Sequence, residues 1–345
     1  MWPGSFRFLL VSVVACNAWA GSQPREVSTN HFSYSYRNLA EDYRIRSWTT
    51  EDGLPHNMVN ALLQTSDGYL WIATKFGLAR YDGVKFTRFD QANTPAMLNQ
   101  NMVSLAENPP GRLWAGSVGG LLRYSDHVFR FIPLPEGLNT AYTFALCPCR
   151  AGGIWVGADA GLLRWDGTAF TRYTNYPAYS MDYLKEQGPI HREINSLYED
   201  EQGTLWIGDY RGLVRLKAGA RQFEVVSSEA NNIGGYLPRL DKLVPDNVGG
   251  IWFGNAAGLF RYPSRGAPNL NGQEAQAASG FWVFPSGKIG LTNSVDPGVR
   301  SLVWASDASL WCKLDQGGLS RWNGGGYATF PSSVNDSTGA PMAEA

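Results

Sequence analysis

The chain has 345 residues, 44% of them hydrophobic, enough for one large or two ordinary globular units with a substantial core. Its 29 basic and 30 acidic residues are interspersed and leave a formal net charge of -1, which excludes the electrostatic footprint of a nucleic-acid binder. Thirteen Trp, sixteen Tyr, sixteen Phe and thirty-nine Gly together point to short aromatic strands joined by tight glycine turns, an all-β composition.

The chain opens with MWPGSFRFLLVSVVACNAWAGSQ: one basic residue (Arg7), an apolar run from Phe8 to Ala15, and a small-x-small site at Ala18-Trp19-Ala20. That is the build of a secretory signal peptide over residues 1–20, with the mature chain starting at Gly21 and placed in the periplasm or secreted. The alternative is a lipoprotein box, Val13-Val14-Ala15-Cys16, which would anchor the protein by a lipid on Cys16. No other segment approaches the ~20 apolar residues of a membrane span. Of the cysteines, Cys147, Cys149 and Cys312 remain, and Cys-Pro-Cys is too tight for a comfortable bridge, so no disulfide framework is expected.

After a lead-in over 21–42, the chain repeats itself. Around Trp71 it reads GYLWIATKFGLARYDGVKFTRFD, and comparable segments are RLWAGSVGGLLRY (112–124), GIWVGADAGLLRW (153–165), TLWIGDYRGLVRL (204–216), GIWFGNAAGLFRY (250–262) and SLWCKLDQGGLSRW (309–322). The six tryptophans, Trp71, Trp114, Trp155, Trp206, Trp252 and Trp311, are spaced by 48 residues on average, near the period of a four-stranded propeller blade. In the first unit, strands are expected at Val59 to Thr65, Tyr69 to Thr74, Leu78 to Tyr81 and Val84 to Phe89, with turns at the Gly-containing segments between them. A β-propeller of antiparallel four-stranded blades follows, with six recognisable blades over 43–330 and a disordered tail over 331–345.

A small residue stands two positions after five of the tryptophans (Ala73, Gly116, Gly157, Gly208, Gly254), leaving room for a large ring or the backbone of the next blade. The sixth unit carries Lys313 there and one extra residue before Gly318-Leu319, which suggests a bulge. Insertions interrupt the pattern at Asn175 to Ile190 and at Pro263 to Gly280.

YRIRSWTTEDGLPHNMVNALLQTSDGYLWIATKFGLARYDGVKFTRFD, from Tyr43 to Asp90, resembles the opening of the two-component regulator propeller family, and the later Trp-x-small...Gly-Leu-x-Arg units resemble its successive blades. The resemblance implies a periplasmic sensor whose relatives carry two seven-bladed rings, a β-sandwich, a membrane helix and a histidine kinase or diguanylate cyclase; a membrane kinase or cyclase partner is implied with it. No such output module is recognisable in these residues. Tyr43 to Trp48 resembles a fourth strand without a blade of its own, so either a truncated seven-bladed ring or an imperfect six-bladed closure is expected, with self-association if the ring is open.

Three groups of residues invite a functional reading. One arginine per unit (Arg80, Arg123, Arg164, Arg215, Arg261, Arg321) could ring an anionic ligand, but repetition at an equivalent place favours a structural tie, and the same holds for the six tryptophans. Catalytic motifs are lacking, no catalytic residue, cofactor or metal site is assigned, and a lyase-type enzyme would have to use His56 with His191 and Glu193. The loops leading into each first strand carry unlike residues suited to a small polar ligand such as a saccharide: His56, Asn57, Asn101, Tyr142, His191, Arg192, Glu193, Arg239 and Arg300. A protein-binding scaffold is the remaining alternative.

Overall fold

A computed structural model describes residues 47–175, 193–209, 212–227, 242–246, 249–255, 258–262, 275–276, 282–284, 299–305, 309–314, 319–322 and 327–330. Blade one consists of β1 (Val59–Gln64), β2 (Leu70–Thr74), β3 (Gly77–Tyr81) and β4 (Phe86–Phe89). Blade two has β5 (Ser104–Glu107), β6 (Leu113–Ser117), β7 (Gly120–Ser125) and β8 (Val128–Pro133). Blade three has β9 (Thr143–Pro148), β10 (Ile154–Ala158), β11 (Gly161–Trp165) and β12 (Phe170–Tyr173). Blade four has β13 (Ile194–Glu199), β14 (Leu205–Asp209), β15 (Gly212–Leu216) and β16 (Glu224–Ser227). Blade five has β17 (Leu243–Pro245), β18 (Ile251–Asn255), β19 (Gly258–Tyr262), β20 (Ala275–Gln276) and β21 (Trp282–Phe284), and blade six has β22 (Val299–Trp304), β23 (Leu310–Leu314), β24 (Leu319–Trp322) and β25 (Tyr327–Phe330).

Each sheet is an antiparallel meander in sequence order, apart from blade five, where β20 adds a fifth strand outside β21. That strand comes from the insertion between the last two strands of the blade. The protein is a β-propeller: the first strands lie side by side, β1 against β5, β5 against β9, β9 against β13, β13 against β17 and β17 against β22, and so form the inner wall. Residues 1–46, the insertion over 176–192 and the tail over 331–345 lie outside the described residues, and with them the expectations for the signal peptide, for Cys16, for Tyr43 to Arg46 and for tail disorder.

The core sits between blades. Trp71 packs on Leu113, Ala115 and Leu122 of blade two; Trp114 on Ile154, Val156 and Leu163 of blade three; Trp155 on Leu205, Ile207 and Val214 of blade four. Trp206 does the same with Ile251, Phe253 and Phe260, and Trp252 with Leu310 and Cys312. The receiving blade needs apolar residues on its second and third strands, which explains why the repeat is apolar on both sheet faces.

Close approach explains the glycine two positions after several of the tryptophans. A Cβ on Gly157 would lie 2.9 Å from the Ile194 carbonyl oxygen at the start of β13, and one on Gly254 would lie 2.6 Å from Val299 Cβ in β22. In blade six the pairing of β23 with β24 keeps one register through Lys313–Leu319 and Trp311–Arg321, so the expected bulge is absent from the paired residues. Register breaks lie elsewhere: one between β15 and β16 at Leu213 and Val214, and four in the first strands, between Val59 and Ala61, opposite Ala158 between Thr143 and Ala145, between Ile194 and Ser196, and between Val299 and Ser301.

Candidate functional site

Every repeated tryptophan stands directly across from the repeated arginine of its own blade: Trp71–Arg80, Trp114–Arg123, Trp155–Arg164, Trp206–Arg215, Trp252–Arg261 and Trp311–Arg321. The guanidinium lies over the indole at 5.6 to 5.7 Å in five blades, a cation–π pair within one sheet. Local carboxylates join some of them. Arg215 meets Glu224 at 2.8 Å, and Arg261 meets Asp246 at 2.7 Å with both side chains almost fully buried (1% and 2% exposed). Asp246 also accepts from the Gly250 amide and the Trp252 indole, so it ties three segments of blade five together. These residues are engaged within their own blade and against the next one, as where Arg80 meets Tyr124 and Trp155 donates to Glu199, which leaves the unlike residues at the strand ends to consider.

A meander puts the starts of first and third strands and the ends of second and fourth strands on one face. Those connections carry His56, Asn57, Asn101, Tyr142 and Glu193. His56 Nδ1 accepts the Met58 amide at 2.8 Å, and the ring stands edge-on to Phe76 at 4.7 Å. Asn57 Oδ1 accepts the Thr50 amide and so belongs to the 3-10 turn Thr50–Asp52, where Thr49 and Asp52 form a capping box. Asn101 Oδ1 accepts from Asn60 Nδ2, which also donates to the Met102 carbonyl, so these amides cross from blade one to the connection entering blade two. Tyr142 is exposed and lies parallel to Phe144 at 5.6 Å and 8°. The Glu193 carbonyl accepts from Asn195 Nδ2.

His191, Arg192 and Arg239 lie outside the described residues, and of Arg300 only the backbone, in β22, is described. Among the described residues, the structure brings Asn101 together with Asn60, and His56 together with Phe76. His56 lies in the connection entering blade one and Glu193 in the connection entering blade four, on the same face.

The sequence reading named Arg300, which occupies the break between Val299 and Ser301, but overlooked the residues at the other three first-strand breaks. Asn60, Phe144 and Asn195 each occupy a first-strand break, where the extra residue leaves the two-fold alternation. Asn195 is buried, and because its amide nitrogen faces the Glu193 carbonyl, the Oδ1 atom is the one left without a partner. The available signal was a break in the inward–outward pattern just after each variable loop. Exposed apolar side chains collect on this face as well: Met58, Phe76, Leu98 and Tyr142. Among the described residues no cluster of His, Cys, Asp and Glu could hold a metal, and no helix is long and apolar enough to cross a membrane.

The buried cysteines lie away from this face. All three are unbridged, and burial pushes the Cys147 and Cys312 thiols up to about 12. At neutral pH they are packing groups, not nucleophiles.

Two stretches, 53–76 and 188–211, match the family model described as two component regulator propeller. The chain carries two-component regulator propeller repeats. No curated protein sequence matches it. Among solved structures it is similar to an extracellular domain assigned to a hybrid two component system, BT4673 of B. thetaiotaomicron, with 18% identity and a TM-score of 0.59 over 81% of this chain and 33% of that one. PorZ of Porphyromonas gingivalis, a surface component of the type-IX secretion system, gives 16% identity and 0.58 over 83% of this chain and 43% of that one. The GH74 xyloglucanase of Xanthomonas campestris gives 15% and 0.58 over 80% and 46%. The propeller thus spans about a third of the length of the first of these, and at such identities the likeness concerns the fold.

Proposed function

We propose that this propeller is an extracytoplasmic sensory module, the input part of a two-component type of regulator, without catalytic activity of its own. It binds a small polar ligand of the saccharide class at the mouth ringed by the first strands. The observation that supports this reading is the division of labour between repeated and unrepeated residues. The tryptophan and arginine of each unit pair within their own blade, whereas the side chains that differ between blades, Asn60, Asn101, Tyr142, Phe144 and Asn195, gather on one face. An exposed aromatic platform beside amide groups suits the apolar face and the hydroxyls of a sugar ring.

The sensory reading takes its support from the repeat family and from the extracellular two-component domain of the same fold. A membrane kinase or cyclase receives the signal, and the leader over 1–20 places the propeller outside the cytoplasm.

A thermal-shift screen with mono- and oligosaccharides tests the proposal, because a ligand at one hundred times its Kd stabilises the native state by about 2.7 kcal/mol. Tyr142→Ala should abolish the shift, while Val84→Ala, at an exposed residue on the opposite face, should leave it unchanged. A screen with no saccharide response, or a response that survives Tyr142→Ala, would sink the proposed site.

A further inference from the structure

We propose that blade two, on the side it turns toward blade three, binds a tetrahedral oxyanion of the phosphate type between Arg112, Arg123 and Arg130. Arg123 in β7 stands directly across from Trp114 on one neighbouring strand and from Arg130 on the other, and directly opposed residues project to the same side of a sheet. Arg112 precedes Trp114 by two residues and so shares that side. It is the side on which Trp114 packs on blade three. The three arginines lie toward the end of the blade where β6 starts and β7 finishes, opposite the mouth that carries Tyr142.

Blade two departs from the other five at each of these places. Across from the repeated arginine the outer strand presents Thr87, Thr171, Glu224, Trp282 and Ala328 in blades one, three, four, five and six, where blade two has a second cation, Arg130. Two residues before the tryptophan the other blades have Tyr69, Gly153, Thr204, Gly250 and Ser309, where blade two has Arg112. Six residues before it, blades four and five carry Asp200 and Asp246, which accept from the indoles of Trp206 and Trp252. Blade two has Asn108 there, and its side-chain amide donates to the Gly153 carbonyl of blade three instead. Blade two has therefore gained two arginines and lacks the carboxylates that hold Arg215 and Arg261.

Every polar group at this place donates. Among the described residues none of the three guanidinium groups makes an ion pair or a side-chain hydrogen bond, and the buried Nε atoms of Arg112 and Arg123 have no partner. Arg164 in blade three also has an unpartnered Nε, but its guanidinium donates to the Gly152 carbonyl. Burial, and then the charges of Arg112 and Arg130, push the Arg123 guanidinium down, while Asp126, in the turn after β7, opposes this without forming an ion pair. In blade one, Arg80 reaches the Tyr124 hydroxyl of the next blade. The blade-three residue at the place of Tyr124 is Trp165, which can only donate, and its buried indole N–H is unpartnered as well. A phosphate-type anion supplies the acceptor oxygens and the negative charge that this cluster lacks. Arg130 is exposed and Arg112 and Arg123 are half-buried, so the cluster is open to solvent on its outer side.

The probes are inorganic phosphate and phenyl phosphate, added to the full-length protein at constant ionic strength in a buffer free of both. Saturable binding by calorimetry, with a rise in thermal midpoint, is expected. Binding of inorganic phosphate alone assigns the site to the free ion, and binding of both assigns it to the end group of an ester. Arg130→Thr, which places there the residue of blades one and three, should weaken binding by about tenfold. Arg130→Glu copies the pairing of Arg215 with Glu224 and supplies the counter-charge from the chain itself. It should raise the thermal midpoint in anion-free buffer and abolish the response to phosphate. Tyr142→Ala should leave phosphate binding unchanged, which keeps this site distinguishable from the saccharide mouth. No saturable binding of either probe, undiminished binding by Arg130→Glu, or a lower anion-free midpoint in that variant overturns the proposal.

Discussion

At the scale of single residues, the most consequential charge is Asp246. It holds Arg261 through two short contacts in a nearly dry site and also accepts from a backbone amide and an indole. Its removal leaves a buried guanidinium without its counter-charge, so Asp246→Ala should cost about 3 to 5 kcal/mol, read as a large fall in thermal midpoint. Lys217→Ala should change little, because its pairing with Glu224 is exposed. The cysteines give a pH signature. Folding raises Cys147 and Cys312 from about 9 to about 12, so the native state keeps protons that the unfolded chain releases. Stability from these groups is complete below about pH 9 and is lost as pH climbs towards 12, which a series of melting curves would reveal. At pH 8 neither thiol should react with Ellman's reagent until denaturant is added. The sequence showed the absence of a bridge but not this inertness, which depends on where neighbouring strands cover the sulfur.

At the scale of strands and blades, the repeat was legible because each blade needs the same parts. Trp, the small residue after it and Gly-Leu-x-Arg are spaced by the sheet, and the glycine of that tetrad turns the chain at positive φ in Gly77 (125°) and Gly161 (102°). Strand limits fell within two residues of expectation in blade one, and β25 spans Tyr327–Phe330 as expected. The register breaks of the first strands were not legible. They arise from where a loop of particular length meets the inner wall, and Asn60 or Asn195 looks like an ordinary loop residue without that wall. The close approach of β13 to β10 makes Gly157 intolerant of a side chain. Gly157→Ala should destabilise by about 1 to 3 kcal/mol, through pressure on Ile194, whereas Gly68→Ala, with open space around its Cβ position, should suffer only from its backbone angle. Comparing the two variants by chemical denaturation separates overpacking from conformational strain.

At the scale of the whole molecule, the propeller behaves as an array of blades in which each tryptophan from blade one to blade five packs on the blade that follows. The apolar sheet of blade one lies under Trp48 and Leu54. Trp48→Ala uncovers that face. The variant should lower the melting temperature and increase association in sedimentation experiments, while a variant that melts lower but stays monodisperse would show that the tryptophan only stiffens the lead-in. Composition and period were enough to foresee blades.

The carboxylates on the first strands carry a temporal meaning as well. Glu107 reaches back to the Ser66 turn of blade one, and Glu199 reaches back to the Arg150 amide and the Trp155 indole of blade three. In both cases the latch is encoded after the blade it fastens. A polypeptide that emerges amino end first therefore holds blade one unlatched until β5 has arrived, and blade three until β13 has arrived. Assembly is paced by the arrival of the following blade, and a chain stalled between the two would leave its last sheet loose.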